Sequence, residues 1–254
     1  MHLADSAALA PRASWTPRVR AGLLHLGLSL LVAALAALLV FGLWYPYPYR
    51  ETSGGRELFQ LLVAVDVVVG PLITLVIFDP RKPWRVMRRD LAVVGLVQLA
   101  ALGYGLWTVY AARPVHLVFE YHRFQVVHAI DIPPASLQQA PAALQALPIT
   151  GPTPLSLRPF KDNSEMMEAT TQAMAGLPQA AMPRLWRGYA DARDEVLRAA
   201  KPLAELKARF PAQTPLIDAT ITATGRPQDA LAFVPMIDRQ QYWTVLVDHR
   251  SADV

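Results

Sequence analysis

Three long apolar segments dominate the first 112 residues of the chain. Residues 21–45 and 91–112 contain no Asp, Glu, Lys or Arg, and residues 58–78 contain one acid, Asp66. Because a helix rises about 1.5 Å per residue, a segment of about 20 residues can cross about 30 Å of hydrocarbon. Apolar runs of this length are much less typical of buried helices in soluble proteins. The pattern therefore predicts a membrane α-helical bundle of three transmembrane helices, occupying residues 21–112.

Residues 113–254 show the shorter, mixed patterns of a folded domain. Strands are predicted at 115–119 and 124–127, as a hairpin, and at 230–235 and 242–247, as a closing pair. Between them, helices are predicted at 136–146, 164–175, 190–201, 202–210 and 215–224. The order of strands, helices and strands predicts a small α+β extracytoplasmic domain built on an antiparallel sheet.

The distribution of Lys and Arg among the loops predicts the orientation. The N-terminal tail, residues 1–20, carries three, the loop at 79–90 carries five, and the loop at 46–57 carries two. Basic loops stay in the cytoplasm, which places the N-terminus there and the C-terminal domain, in a bacterium, in the periplasm. Aromatic residues that favour the membrane interface agree, since they close the first and third segments: Trp44 and Tyr45, and Trp107 and Tyr110. The first segment is too long for a signal peptide, so we expect it to remain as an anchor.

Composition narrows the function classes. The net charge of +4 lies in the first half, at the ends of apolar segments, which argues against nucleic acid as a partner. The chain has no cysteine, which excludes disulfides, thiolate metal sites and a cysteine nucleophile. No glycine-rich phosphate or dinucleotide motif occurs. His116, His122 and His128 are regularly spaced but cross a predicted turn, so no metal site is predicted. We expect no cofactor, and a protein that binds rather than an enzyme.

Asp66 is the most unusual residue of the apolar segments. An acid near the centre of a membrane helix costs about 2.5–3.5 kcal/mol on insertion scales, so it needs a partner. It shares a helix face with Gly70 and Thr74, and Pro71 cannot donate to the carbonyl of Val67, which predicts a kink. A carboxyl, a glycine and a freed carbonyl on one stripe indicate a face for helix packing. Asp66 could be bonded within the bundle, bind a partner's transmembrane helix, or belong to an ion path.

A depth estimate suggests which residue of the third segment meets Asp66. At about 1.5 Å per residue, Asp66 lies about 18 Å from the cytoplasmic end. The same depth on the third segment falls near Tyr104, whose hydroxyl could donate to the carboxylate. Gln98 lies closer to the cytoplasmic side and fits less well. Asp66, Gly70, Pro71, Thr74 and Tyr104 are therefore the predicted residues for intramembrane packing or partner binding.

Three stretches of the sequence resemble the type IV pilin accessory proteins. They are Val65–Phe78 in the second segment, Leu99–Glu120 from the third segment into the first predicted strand, and Trp243–Asp248 near the end. The resemblance implies a multi-pass protein of the bacterial inner membrane that helps a type IV pilin to fold, persist or assemble, without being an enzyme. A pilin in that membrane has an apolar helix in the bilayer and a globular head in the periplasm, and this chain could contact both.

One other class of function is compatible with the pattern of segments. A membrane-anchored periplasmic ligand-binding protein, acting as a sensor or transport accessory, would also combine three membrane helices with an outer domain. A pilin gene beside this one would favour the first interpretation, whereas a transporter or kinase gene would favour the second.

Overall fold

A computed structural model describes residues 15–239 and 241–254. Three of its helices are long and apolar enough to cross a membrane: α1, Trp15–Trp44; α2, Gly55–Ile77; and α3, Trp84–Ala111. The three predicted segments are therefore confirmed as helices of spanning length. Residues 1–14 of the predicted cytoplasmic tail lie outside the described residues.

Small and polar side chains point inward from these helices, while large apolar ones point outward. On α1, the buried residues Gly22, Ser29 and Ala36 recur every seven positions. On α2, Gly70 and Thr74 are buried. Many large leucine and valine side chains of the same helices are exposed, among them Leu24, Leu38, Leu61, Val76 and Leu96. This arrangement is typical of helices that pack on each other through small residues and face lipid with large ones.

Two π-helical turns interrupt the regular helices. One, Val40–Trp44, ends α1. The other, Val65–Val69, lies inside α2 and is followed by α-helix from Gly70 to Ile77, with Pro71 in its first turn. Such turns are rare and are often found at functional sites. The predicted irregularity before Pro71 thus takes the form of a π-helical turn that contains Asp66.

The chain divides into two compact units. Of the described residues, the helical unit comprises 15–37 and 59–107, and the sheet unit comprises 38–58, 108–239 and 241–254. The loop between α1 and α2, which includes a helical turn at Tyr49–Thr52, therefore belongs to the same unit as the C-terminal domain.

The sheet unit is built on seven strands of mixed direction. They are β1, Pro114–Glu120; β2, Arg123–His128; β3, Thr153–Leu157; β4, Trp186–Gly188; β5, Lys201–Pro202; β6, Leu231–Asp238; and β7, Gln241–Asp248. The strand order is β4-β3-β1-β2-β6-β5, with β7 also paired to β6. Because β3 runs parallel to β1 and β6 runs parallel to β2, the prediction of an antiparallel sheet was wrong. The predicted hairpin β1–β2 and the closing pair β6–β7 are confirmed.

Within the described part of the chain, four α-helices follow β1: α4, Asn163–Met174; α5, Arg193–Ala199; α6, Leu203–Arg209; and α7, Thr214–Ala223. They correspond to four of the five predicted helices. The fifth, predicted at 136–146, is instead two 3₁₀ turns, Pro134–Gln139 and Ala142–Leu144. Pro141 separates the turns, because a proline inside a helix lacks the N–H for the backbone hydrogen bond.

The centre of the sheet is covered on both faces. All seven residues of β1 are buried. On β2, Phe124 and Val126 pack in one apolar cluster, together with Val234 and Val247 of the closing strands. Val127, on the opposite face, belongs to a second cluster around Trp186. The alternation follows the two-residue period of a strand and fixes the register of the hairpin.

Candidate partner-binding site

A stripe of small and polar residues on α2 faces a matching stripe on α1. Asp66, Gly70 and Thr74 are all buried and lie one turn apart. The Nδ1 atom of His25, on α1, lies 2.5 Å from the Thr74 hydroxyl, at hydrogen-bonding distance. Gly22, one turn before His25, lies at the contact between the two helices, since a Cβ there would be in ordinary van der Waals contact, 3.7 Å from the carbonyl oxygen of Pro71.

Gln98 of α3 completes this stripe. Its side-chain amide donates to the backbone carbonyl of Asp66 at 3.4 Å. It also packs directly on Gly70, where an added Cβ would overlap the amide and lie 2.8 Å from its carbon. A residue larger than glycine would therefore force Gln98 away from α2. The absence of a side chain at Gly70 is what lets α3 supply a polar group at this point.

The carboxylate of Asp66 has an incomplete set of hydrogen-bond partners among the described residues. The side chain is buried, and His25 lies close enough to interact with it electrostatically. Its Oδ1 atom is buried without a hydrogen-bond partner among the described residues. A buried polar atom that lacks a partner is costly, so the site has a strong capacity to accept a hydrogen bond from a donor that enters it.

The two other predicted residues, Pro71 and Tyr104, do not belong to the buried stripe of Asp66, Gly70 and Thr74. Pro71 lies at the first turn after the π-helical segment, and its carbonyl faces Gly22. Tyr104 is 71% exposed, and its ring lies 6.0 Å from that of Trp107, so it lies on the surface of the helical unit. Its predicted hydrogen bond to Asp66 stays a prediction.

Sequence reasoning missed two residues of this stripe. The depth estimate assigned no role to His25, and it placed Gln98 at a less suitable depth than Tyr104. Both could have been found from the sequence, because they are polar side chains inside segments that are otherwise apolar. Gly22, His25 and Ser29 follow the three- and four-residue spacing of one helix face, which is the signal that points to a packed face.

A second polar cluster lies in the sheet unit. Ser53 donates a 2.6 Å hydrogen bond to Asp238 Oδ2, and the other oxygen of Asp238 lies 3.5 Å from His128 Nε2. His128 Nδ1 is in turn 3.2 Å from Asp131. Ser53, His128 and Asp238 are buried, and the serine bonds to the carboxylate rather than to the imidazole. The cluster therefore differs from a nucleophile triad, in which the imidazole accepts the serine proton.

The loop that carries Ser53 is held to the sheet unit by two further aromatic residues. Tyr45 is fully buried and donates its hydroxyl to the carbonyl of Val109 at 3.2 Å. Its ring occupies the space where Gly55 would carry a Cβ. Burial, and then the nearby charge of Asp238, raises the pKa of Tyr49 to about 12. The burial of Tyr45 and the raised pKa of Tyr49 both indicate that this loop is packed against the C-terminal domain.

His116 is a buried histidine of the apolar core. Its Nδ1 lies 2.8 Å from the hydroxyl of Thr153, and its ring meets Trp186 edge-on at 4.8 Å. Burial lowers its pKa to about 4, partly offset by the bond to Thr153. Within the described residues, no group of three or more His, Cys, Asp or Glu could hold a metal ion.

Comparison with known proteins identifies the family. A protein described as "Fimbrial assembly protein, serogroup I" from Dichelobacter nodosus is 36% identical over 228 residues, which cover 89% of this chain and 88% of the relative. The chain belongs to the fimbrial assembly protein family. A second relative, the serogroup E1 protein of the same organism, is 32% identical over 227 residues, again 89% of this chain and 88% of the relative.

Two further matches agree with this assignment. Residues 13–54 match the family described as "Fimbrial assembly protein FimB". The Dichelobacter nodosus protein of serogroups C1 and C2 is 40% identical over 117 residues, 46% of this chain and 89% of that relative. No solved structure matches the chain. The resemblance to type IV pilin accessory proteins, seen in the sequence, is confirmed.

Proposed function

We propose that this protein is an inner-membrane accessory that assists type IV pilin stability or pilus assembly. It would do so by contacting the transmembrane helix of the pilin in the bilayer and the pilin head in the periplasm. The observation that carries the proposal is 36% identity, over 89% of the chain, to a protein named for fimbrial assembly. That name also supports the non-catalytic role that we propose for this chain.

The proposed topology places the N-terminus in the cytoplasm and the sheet unit in the periplasm. The uneven distribution of basic residues among the loops supports it. The division of the structure supports the number of crossings, because the loop between α1 and α2 packs in the same unit as the C-terminal domain. With three spanning helices, that loop and that domain must share one side of the membrane.

The intramembrane contact is proposed at Asp66, the residue of the buried stripe that has an unpartnered carboxylate oxygen. The unpartnered Oδ1 of Asp66 supports this, because a donor on a partner helix would satisfy an atom that is otherwise costly to bury. The exposed Tyr104 offers an aromatic ring and a hydroxyl at the outer surface of the same unit. The bundle would thus hold a pilin helix through polar contacts, which are selective in a medium where apolar contact is not.

Deleting the gene tests the proposal at the level of the cell. The number of pili, or the level of pilin protein, should fall while the pilin transcript stays unchanged, and the intact gene supplied in trans should restore both. Normal piliation in a strain without a second accessory gene would overturn the proposal.

Co-purification from native membranes tests the proposed contact. The tagged full chain should bring down the pilin, and the same preparation from a pilin-deletion strain serves as the control. Recovery of a transporter or a kinase in place of the pilin would instead favour a sensor or transport accessory.

A further inference from the structure

Two exposed isoleucines lie in loops that are hydrogen-bonded to Arg113, which precedes β1 directly. Ile130 is 63% exposed and Ile149 is 61% exposed. The backbone N–H of Ala129 donates to the carbonyl of Arg113 at 2.9 Å. The guanidinium of Arg113 donates to the carbonyl of Pro148 at 3.2 and 3.3 Å. Ile130 directly follows Ala129, and Ile149 directly follows Pro148, so each isoleucine is adjacent to a residue that is bonded to Arg113. Both loops are therefore fixed beside the start of β1, which is called the base of the sheet unit below.

The turn that carries Ile149 is also bonded to the end of α1. The backbone N–H of Gly151 donates to the carbonyl of Leu43 at 2.8 Å. Leu43 is part of the last turn of an apolar helix long enough to cross a membrane, and its own side chain is exposed. A bilayer that surrounds the end of α1 must therefore come close to this turn.

Aromatic and basic side chains at the ends of α1 and α3 indicate that the membrane interface lies there. The ring of Trp44 meets that of Tyr110 edge-on, with centroids 5.1 Å apart. The guanidinium carbon of Arg113 lies 3.8 Å from the centroid of the Tyr110 ring. Trp and Tyr settle at the headgroup level of a bilayer, and Arg extends its charge to the same level.

We infer that Ile130 and Ile149 form a membrane-inserted pair, which enters the lipid surface around the ends of α1 and α3. The inference rests on the proposed placement of these helices across the bilayer. Isolated exposed apolar residues are common, but these two lie in loops that are bonded to Arg113, next to the end of a membrane helix, where lipid is the expected surrounding. Insertion of the two side chains attaches the base of the sheet unit to the bilayer surface. The far end of β1, near His122, lies about 23 Å away, at about 3.3 Å per strand residue.

The absence of cysteine from the chain makes the test direct. Single substitutions Ile130→Cys and Ile149→Cys are labelled with an environment-sensitive nitrobenzoxadiazole dye. The full chain is then reconstituted in phosphatidylethanolamine–phosphatidylglycerol nanodiscs. Quenching is measured with lipid that carries a doxyl group near the headgroup, and separately with aqueous iodide. His122→Cys, at the exposed tip of the hairpin, is the matched control in water.

Dyes at positions 130 and 149 should be quenched by doxyl lipid at least threefold more than the dye at position 122, and by iodide correspondingly less. Equal quenching at all three positions, or quenching by iodide alone, would overturn the inference. Leu43→Cys separates this failure from that of the proposed topology. If the dye at Leu43 is quenched by lipid and those at the isoleucines are not, α1 enters the bilayer and only the membrane-inserted pair is wrong.

Discussion

The hydroxyl of Ser53 donates a 2.6 Å hydrogen bond to the carboxylate of Asp238, which lies 185 positions later in the chain. Ser53 belongs to the short loop between the first two long helices, and Asp238 ends strand β6. Both side chains are buried, so the bond fixes the loop to the folded domain at a point that water does not reach. The loop is therefore an integral part of the sheet unit.

Removing this bond should destabilise the sheet unit. Ser53→Ala leaves a buried carboxylate oxygen without its donor, which costs about 1–3 kcal/mol. We expect a lower unfolding midpoint for the full chain in detergent, followed by circular dichroism, and faster tryptic cleavage at Arg50 and Arg56. Ser164→Ala, at an exposed position on α4, is the control and should leave both measurements unchanged. Unaltered stability of Ser53→Ala would show that the bond contributes nothing.

Reporter fusions should reveal the orientation of the helices. An enzyme that is active only in the periplasm should be active when fused after Val254 and silent when fused at Pro83, in the loop with five basic residues. A fusion within residues 46–57 should be active as well, because that loop packs with the C-terminal domain. Activity at Pro83 and silence at Val254 would reverse the topology and, with it, the proposed contact with the pilin head.

Gly70 allows a direct test of helix packing. A Cβ at this position would overlap the amide of Gln98, so Gly70→Ala should displace the end of this side chain, break its bond to the carbonyl of Asp66 and lower the thermal stability of the purified protein. The double variant Gly70→Ala/Gln98→Ala should recover much of the loss, because the overlapping group is removed. Gly103→Ala, where the structure leaves open space within 4 Å, is the matched control. A Gly70→Ala protein as stable as the wild type would mean that the contact between Gln98 and Gly70 contributes nothing to stability.

The sequence predicted the elements with strong local patterns and missed those that depend on tertiary contacts. The three spanning helices and the hairpins β1–β2 and β6–β7 follow from apolar length and alternation. Strand β3 was missed, because Thr153–Leu157 pairs in parallel with a strand about 40 residues earlier and has no neighbouring turn signal. Strand β4 is only three residues long, which is too short to show any period.

The candidate site was also only partly visible from the sequence. Asp66 was identifiable, because an acid inside an apolar segment is rare. Its surroundings were not, because depth along a straight helix cannot give the rotation of each helix about its axis. Rotation decides that Gln98 packs on Gly70, while Tyr104 is exposed. The π-helical turn Val65–Val69 adds a further change of rotation before Pro71.

His116 predicts a pH dependence of stability. Its pKa is about 4 in the fold, against 6.5 for an exposed histidine, because burial disfavours the charged form. The unfolded chain therefore binds more protons between these values, and stability is lost as the pH falls from about 6.5 towards about 4. The gap corresponds to about 3 kcal/mol. Denaturant titrations of the full chain should show this slope, and His116→Asn should reduce it, whereas His122→Asn, exposed at the hairpin tip, should not.

Two substitutions at Asp66 separate a structural from a functional role. Asp66→Leu removes the buried carboxyl together with its insertion cost of about 2.5–3.5 kcal/mol, so the protein should insert and accumulate at least as well as the wild type. If the carboxylate accepts a hydrogen bond from a pilin helix, this variant should nevertheless fail to support piliation. Asp66→Asn keeps the shape and a hydrogen-bonding group, and should retain part of the activity. Immunoblots of membranes and counts of pili by electron microscopy provide the two measurements. Full piliation with a stable Asp66→Leu protein would remove Asp66 from the pilin contact and leave it with a role only in packing α2 against His25 and Gln98.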